Sequence, residues 1–345
     1  MKRVCVCAHF GEGKELLNGQ SIKAHIVANE LEHRLGGDQI IKIDTHGGYL
    51  STIKLIVLLL RALVICENII VMPGKNGLRI IIPLLRIYSM IIKRKIHYIV
   101  IGGWLDNYLK ERVFLKKLLY KCDCIYVETQ QMKTDLEMSG FRNIVVLPNC
   151  KALQILSEAE LVYNSAAPYK LCTFSRVTSY KGIEDAIFAV ESINAREART
   201  VYLLDIYGPV DDNYKTRFEE IKGNFPGYIR YCGTVPYSMT TEIIKDYYLM
   251  LFPTRYETEG LPGTIIDAYA SGVPVVASDW RYSREFVNDR TGFVYEFNNA
   301  QALTDLLYVL KEDPAIVNAK KTECIKHANR YTSEAILSIL TNRLD

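Results

Sequence analysis

The chain has 345 residues, 49% of them hydrophobic and 23% charged, with a formal net charge of +3. That length suits two domains or one large one, and it buries a sizeable core without disulfides or metals. The composition excludes an intrinsically disordered chain, and the small net charge excludes a strongly cationic nucleic-acid binder. The total conceals a split: residues 1–150 hold 21 Lys and Arg against 13 Asp and Glu (+8), and the remainder holds 21 against 26 (−5).

From the N-terminus, Val4–Ala8, Gln39–Ile43, Asn68–Met72, His97–Ile101, Cys124–Glu128 and Ile144–Leu147 read as strands. They are continuous apolar runs rich in β-branched residues, as expected of strands covered on both faces of a parallel sheet. Helical patterns lie between them, near 20–35, 51–65, 77–93, 106–121 and 129–139. This alternation predicts a doubly wound α/β domain over residues 1–152. Residues 153–168 fit neither template and read as a linker with a short helical turn. A second series follows over 169–330, with strands at 169–175, 200–206, 228–232, 248–252 and 274–277. Helices are predicted at 181–195, 212–223, 238–246, 263–271, 299–311 and 314–328; a last amphipathic stretch, 333–344, follows, and the segment 331–345 that holds it is a candidate to rejoin the first domain. Ligands of such sheets sit at the loops beyond the strand carboxyl ends, so those loops are where chemistry is sought.

Nine cysteines are scattered without C-x-x-C spacing, which predicts small buried apolar residues rather than a zinc site. No secretory h-region opens the sequence and no apolar run reaches 18 residues, so a cytoplasmic chain without a membrane span is expected.

One candidate site follows the strand that ends at Phe252: a polar loop, then Glu259, Gly260, Leu261, Pro262 and Gly263 at a helix start, with Asp267 one turn in. Pro suits a first helical position. Free N–H groups at a helix start favour an anion, and glycines let that backbone approach a ligand closely. Carboxylates there accept hydrogen bonds from sugar hydroxyls. Capping by Glu259 and a solvated Asp267 are the plainer alternatives. The second candidate is the loop from Ser175 to Gly182, where Arg176 and Lys181 stand five apart, a pairing that suits a diphosphate, with solvated surface cations as the plainer alternative.

Taken together, Arg176, Lys181-Gly182, Glu259-x(7)-Asp267 and Gly272-Val-Pro274-Val-Val resemble, in order and spacing, the motifs of the retaining, nucleotide-sugar-dependent glycosyltransferases of family four. The resemblance covers most of residues 169–312. It is weaker in the first half, where Val145-Val-Leu-Pro148-Asn149 is the clearest point. It implies the α/β fold called GT-B, two Rossmann-like doubly wound domains facing each other across a cleft. It implies catalytic roles for Glu259, Arg176 and Lys181, with Glu259 holding a sugar hydroxyl and the two cations binding the diphosphate. Gly260, Leu261, Gly263 and Thr264 would present backbone to sugar and phosphate, Asp267 would hold the ribose, and Val235 would contact the base through its backbone. Asp267 in place of the family's Glu shortens the reach by one methylene, and Ser175 replaces a glycine.

In the first domain the resemblance points to an acceptor-side loop at Gly11 and Gly13, after the first strand; after the fourth, Gly103 fits close backbone approach to an acceptor, and Trp104 suits either stacking on a sugar face or packing in the core. Asp106 is a possible stand-in for a group near the reacting carbon. No Asp-x-Asp motif stands in a suitable place, and Asp211-Asp212 reads as a helix cap. The expected enzyme is therefore metal-independent and cofactor-free; the resemblance implies a front-face displacement, and the expected donor is a UDP-sugar. The expected acceptor is a glycan or a lipid-linked sugar in surface polysaccharide or glycolipid assembly. Alternatives are a non-catalytic partner subunit and a sugar-nucleotide epimerase. A nicotinamide dehydrogenase is disfavoured because neither first strand is followed by a full glycine fingerprint.

Basic residues spaced by seven, Lys54 and Arg61 on one helix and Arg79, Arg86 and Lys93 on the next, lie among apolar residues. Such stripes suit an anionic membrane surface, or the solvated edge of an otherwise buried helix. Pro83 predicts a kink or a late start in the second of these helices.

Overall fold

The structure is a computed structural model that describes residues 2–11, 19–46 and 49–344. The chain divides into two compact units, residues 1–152 with 331–345, and residues 153–330.

The first unit is built from β1 (Lys2–Ala8), α1 (Gly19–Leu35), β2 (Ile40–Asp44), α2 (Tyr49–Ile65), β3 (Cys66–Val71), α3 (Lys75–Tyr88), β4 (Lys95–Ile99), α4 (Leu105–Leu109), α5 (Val113–Leu119), β5 (Cys124–Val127), α6 (Gln130–Met138) and β6 (Ile144–Val146). Its six strands are parallel, in the order β2-β1-β3-β4-β5-β6. Strand order reverses between β1 and β3, which opens a crevice beyond their carboxyl ends. Strands covered on both faces must be apolar throughout, and residues 4–8 of β1 are all buried.

The second unit continues with β7 (Tyr169–Phe174), α7 (Ile183–Arg196), β8 (Tyr202–Tyr207), α8 (Lys215–Lys222), β9 (Ile229–Gly233), α9 (Thr240–Ile244), β10 (Leu249–Phe252), α10 (Gly263–Ala270), β11 (Val275–Ser278), β12 (Gly292–Tyr295), α11 (Ala300–Leu310), α12 (Pro314–Asn318) and α13 (Lys321–Ala328). Its sheet is also parallel, ordered β12-β11-β10-β7-β8-β9, with the reversal between β7 and β10. Both units are thus doubly wound α/β layers, as the strand–helix alternation requires.

The last helix, α14 (Ser333–Thr341), returns to the first unit. Ile336, Leu337 and Leu340 join Val27 and Leu31 of α1 in one core. Backbone bonds Lys151 N to Tyr331 O and Ser333 N to Lys151 O tie the returning chain in place. The Asn68 amide donates to the Leu344 carbonyl at 2.9 Å.

Several expectations are corrected. The helix read over 106–121 is two, because Arg112 leaves helical geometry and folds its guanidinium over the Tyr108 ring at 3.9 Å. The helix read over 314–328 breaks at Ala319–Lys320. Strand β12 carries no expectation from sequence; it is four residues long and only its two ends are buried. Pro83 lies inside α3 rather than before it. The short helical turn expected within 153–168 is present, as a 3-10 turn at residues 158–160 closed by a capping box between Ser157 and Glu160. All nine cysteines are free, eight buried and Cys232 exposed.

Candidate functional site

The second unit places two loops side by side at its reversal point. The loop after β7 turns through Gly182, whose backbone is left-handed with φ +65°. A Cβ on Gly182 would fall 1.9 Å from the Pro253 carbonyl oxygen, so only glycine lets the two loops touch here. The Tyr180 carbonyl then accepts from Arg255 N at 2.7 Å and from Thr254 Oγ1 at 3.3 Å. Gly208, after β8, supports the first loop from the other side, where a Cβ would meet the Ser175 carbonyl at 1.9 Å.

This close approach brings together residues 78 apart in sequence. The Lys181 ammonium donates to Glu259 Oε2 as an ion pair. Both side chains remain about one-fifth exposed, and the ammonium also lies 5.1 Å from the centre of the Phe252 ring. Thr254 Oγ1 stands 3.5 Å from Glu259 Oε2, and the Thr254 carbonyl accepts from Ser278 Oγ at 2.6 Å. Glu259 is therefore held by side chains of its own loop and of the facing loop and does not cap α10. That helix begins after Pro262 without a side-chain cap. Gly260 and Leu261 are buried, while Gly263 and Thr264 at the helix start are half-buried. Thr264 Oγ1 lies 3.4 Å from the Met250 sulfur. Asp267 is 4% exposed, so the solvated alternative does not describe it.

Arg176 has a different partner. Its guanidinium lies 3.7 Å from Asp211 and is half-exposed. Asp211 does not cap a helix; its carboxylate accepts from Asn213 N at 3.1 Å in a local turn. Val235 is half-buried in the loop that follows β9.

The sequence reading missed a second clamp. Arg255 forms a bidentate pair with Asp185, at 3.0 and 2.5 Å, linking the β10 loop to the first turn of α7. Those hydrogen bonds push the Arg255 guanidinium above its ordinary pKa. Nothing local distinguishes Arg255 from a solvated cation in sequence, since its partner is 70 residues away. Thr254 was equally silent, although it is fully buried. Among the described residues, no cluster of three His, Cys, Asp or Glu is arranged to hold a metal ion.

In the first unit, Gly11 is buried with φ +71°, Gly103 is buried, and Gly13 lies outside the described residues. Trp104 is 9% exposed, donates its indole N–H to the Ile101 carbonyl at 2.8 Å and packs edge-on against Tyr108. Asp106 accepts from Ser139 Oγ at 3.1 Å.

The profile of the family Glycosyl transferases group 1 matches residues 168–313. The chain is 28% identical over 172 residues to the GtfA subunit of UDP-N-acetylglucosamine–peptide N-acetylglucosaminyltransferase from Streptococcus gordonii, covering 49% of this chain and 33% of that protein. It is 23% identical over 186 residues to the amylovoran biosynthesis glycosyltransferase AmsK of Erwinia amylovora, covering 51% and 45%. The matched segments thus span less than half of the length of these curated relatives. Among solved structures, Anabaena HepE in complex with UDP and glucose superposes with a TM-score of 0.75 at 15% identity, over 100% of this chain and 99% of that one. Sucrose-phosphate synthase from Thermosynechococcus elongatus gives 0.79 at 15%, over 99% and 98%. The fold is accordingly that of the GT-B glycosyltransferases, and residues 168–313 of the second unit match the family Glycosyl transferases group 1.

Proposed function

We propose that the chain transfers a sugar from a UDP-sugar to a glycan or lipid-linked acceptor with retention of configuration, without a metal ion. The observation that carries this reading is the Lys181–Glu259 pair at the reversal point of the second sheet, inside the family-matched segment. A partly exposed pair in the loops beyond two buried strands is open to exchange partners. Glu259 accepts from a hydroxyl of the donor sugar, and Lys181 turns to the diphosphate. Arg176, half-exposed and only loosely held by Asp211, joins it there. The uncapped start of α10 adds backbone N–H donors at Gly263 and Thr264. These fixed positive groups stabilise the charge that develops on the leaving diphosphate, the contribution otherwise made by a metal ion. The acceptor oxygen attacks the anomeric carbon on the face the leaving group departs from, and the departing phosphate oxygen takes the acceptor proton. Asp267 holds the ribose, and the Val235 backbone contacts the base.

UDP as the donor nucleotide is supported by the relatives and neighbours whose names specify it, the GtfA subunit and HepE among them. Another relative, 28% identical over 160 residues, is a GDP-mannose-dependent mannosyltransferase of Corynebacterium glutamicum, so the base requires a direct test. The relatives named for polysaccharide assembly support a glycan or lipid-linked acceptor. The positive first unit supports an anionic membrane as the place where the acceptor is met. Melting curves with UDP, GDP and ADP at equal concentration test the donor. A ligand at one hundred times its Kd, bound only by the native state, adds about 2.7 kcal/mol. UDP is expected to raise Tm well above the other two; equal, absent or GDP-led shifts overturn the UDP assignment.

A further inference from the structure

A cavity of about 340 Å³ lies within the second unit, lined by Arg290, Thr291, Glu323, Lys326, His327 and Arg330. Sites for small molecules run from about 300 to 1,000 Å³, so it is large enough for one. Its place sets it apart from the candidate donor site. The sheet is parallel, and Arg290 and Thr291 immediately precede β12. They therefore stand at the amino ends of the strands, on the edge opposite the loops that follow β7 and β10.

Two elements form its walls. On α13, Glu323, Lys326 and His327 lie three and four residues apart, and Arg330 follows in the 3-10 turn Asn329–Tyr331, a spacing that keeps all four on one face. Opposite them is the turn before β12, whose shape is fixed. Asn288 Oδ1 accepts from Arg290 N at 3.0 Å, and the Thr291 carbonyl accepts from Cys324 Sγ at 3.5 Å. The Lys320 ammonium donates to the Asp289 carbonyl, which fastens the same turn to the start of α13. Three cations thus meet one carboxylate here, in the half of the chain that carries −5 overall. Glu323 lies 3.9 Å from Arg290 and 3.3 Å from Lys326, both exposed, and such pairs hold weakly in water. Arg330 is exposed and has no carboxylate partner among the described residues. Half-buried His327 is kept neutral first by burial and then by Arg330, against Glu323, so the positive potential reaches the ring.

We infer that this cavity binds a phosphate group, either a free oxyanion or one carried by a small organic molecule, at Arg290, Lys326 and Arg330. Guanidinium forks match phosphate oxygens two at a time, and the lysine adds a point charge. The site lies beyond the glycosyltransferase reading and does not depend on it.

Titration calorimetry in about 0.15 M NaCl, where diffuse attraction between surface charges is largely screened, tests the site. Inorganic pyrophosphate is the probe for a free anion, and ribose 5-phosphate the probe for an organic one. Saturable binding of at least one is expected, and the tighter of the two identifies the kind of phosphate. Arg290→Gln combined with Arg330→Gln should weaken that binding about tenfold or more, as should Lys326→Gln alone, since each removes charged hydrogen bonds. All three positions are exposed, so the variants should melt with the wild type when no anion is present. Lys181→Ala, which strips a charge from the candidate donor site, should leave this binding intact. The expected result is thus a site that the cavity variants remove and Lys181→Ala spares, whether or not the donor loops hold a second anion. Binding kept by the cavity variants and lost in Lys181→Ala places the anion at the donor loops and overturns the proposal. Failure of both probes to bind the wild type overturns it equally, as does unchanged affinity in all the variants.

Discussion

Lys181 and Glu259 show how little an ion pair need contribute to stability when it stands at a site. Each is about one-fifth exposed, and a pair this open to water contributes about 1 kcal/mol or less to folding. Its proposed value lies in the charge it presents to a diphosphate. Lys181→Ala is therefore expected to lower turnover by about 10²–10³-fold, the usual loss when a charged transition-state contact is removed, while the urea midpoint moves little. Release of UDP measured under saturating donor checks this. Near-normal turnover in the variant would sink the role given to Lys181, and a large fall in midpoint would make it a folding residue. Legibility differed sharply among single residues. Arg176, Lys181, Glu259 and Asp267 stood out because a spacing pattern surrounds them. Asp185, Thr254 and Arg255 did not, because what marks them is a partner that only folding brings near.

Among elements, the loop after β7 and the loop after β10 were legible as loops, yet their contact was not. It depends on Gly182 adopting a left-handed turn against the Pro253 carbonyl, which no local pattern states. Helices α2 and α3 present the reverse case. Their sevenfold basic spacing was plain in sequence, but the structure removes two members of the stripe, because α3 ends at Tyr88, short of Lys93, and Arg86 turns to a partner. The Arg86 guanidinium donates to the Lys121 carbonyl at 3.0 Å and fastens α3 to the end of α5. What remains outward is mixed: Lys54, Arg61, Arg79 and Ile87 are exposed on the two helices, and Met90, Ile91 and Lys93 in the turn beyond α3. Such a face gains both from anionic headgroups and from burial of its aliphatic residues in the bilayer interface. The chain should co-sediment with vesicles containing phosphatidylglycerol and not with vesicles of phosphatidylcholine alone. Ile87→Glu combined with Ile91→Glu should reduce that binding about tenfold or more, since both positions are exposed and folding is spared. Equal recovery with both lipid mixtures, or unchanged binding by the double variant, refutes a membrane role for this face. Among the described residues no helix is long and apolar enough to cross a membrane.

Across the whole molecule, each unit carries a histidine whose neutral form the fold requires. His97 is 1% exposed, between Asn68 Oδ1 on β3 and the Tyr126 hydroxyl on β5, each at 3.2 Å. The Asn68 amide nitrogen already donates to main-chain carbonyls, so its oxygen faces the ring and Nε2 carries the proton. Nδ1 then accepts from Tyr126, and no position remains for a second proton without breaking a hydrogen bond. Burial, aided by Lys95 and Arg343 and opposed by Asp123, pushes His97 down to about 4. His327 in the second unit, edge-on to Tyr269, is pushed down to about 4, first by burial and then by Arg330. An unfolded histidine takes its proton near pH 6.5, so between about 6.5 and 4 the unfolded chain binds more protons than the native one. The stability each neutral ring contributes is thus complete above pH 6.5 and is lost as pH falls towards 4. The loss reaches roughly 3 kcal/mol for His97 if its whole shift is realised. Urea unfolding at several pH values should show this decline, and His97→Gln should flatten it over that window. An unchanged slope in the variant would remove His97 as its source.

The amino-acid sequence by itself determined most of the elements, the parallel character of both sheets and the order of the site motifs. These depend on short-range features: unbroken β-branched runs, helical spacing of apolar residues, and glycine and proline at helix starts. The docking of α14 onto α1, which the sequence offered only as a candidate, the Lys181–Glu259 and Arg255–Asp185 pairs and the inward Trp104 were decided only by tertiary structure. Each depends on residues distant in the chain meeting at a sheet reversal or a packed helix face. Contacts of that kind are selected by burial and close packing of the whole domain, which no short window of sequence contains.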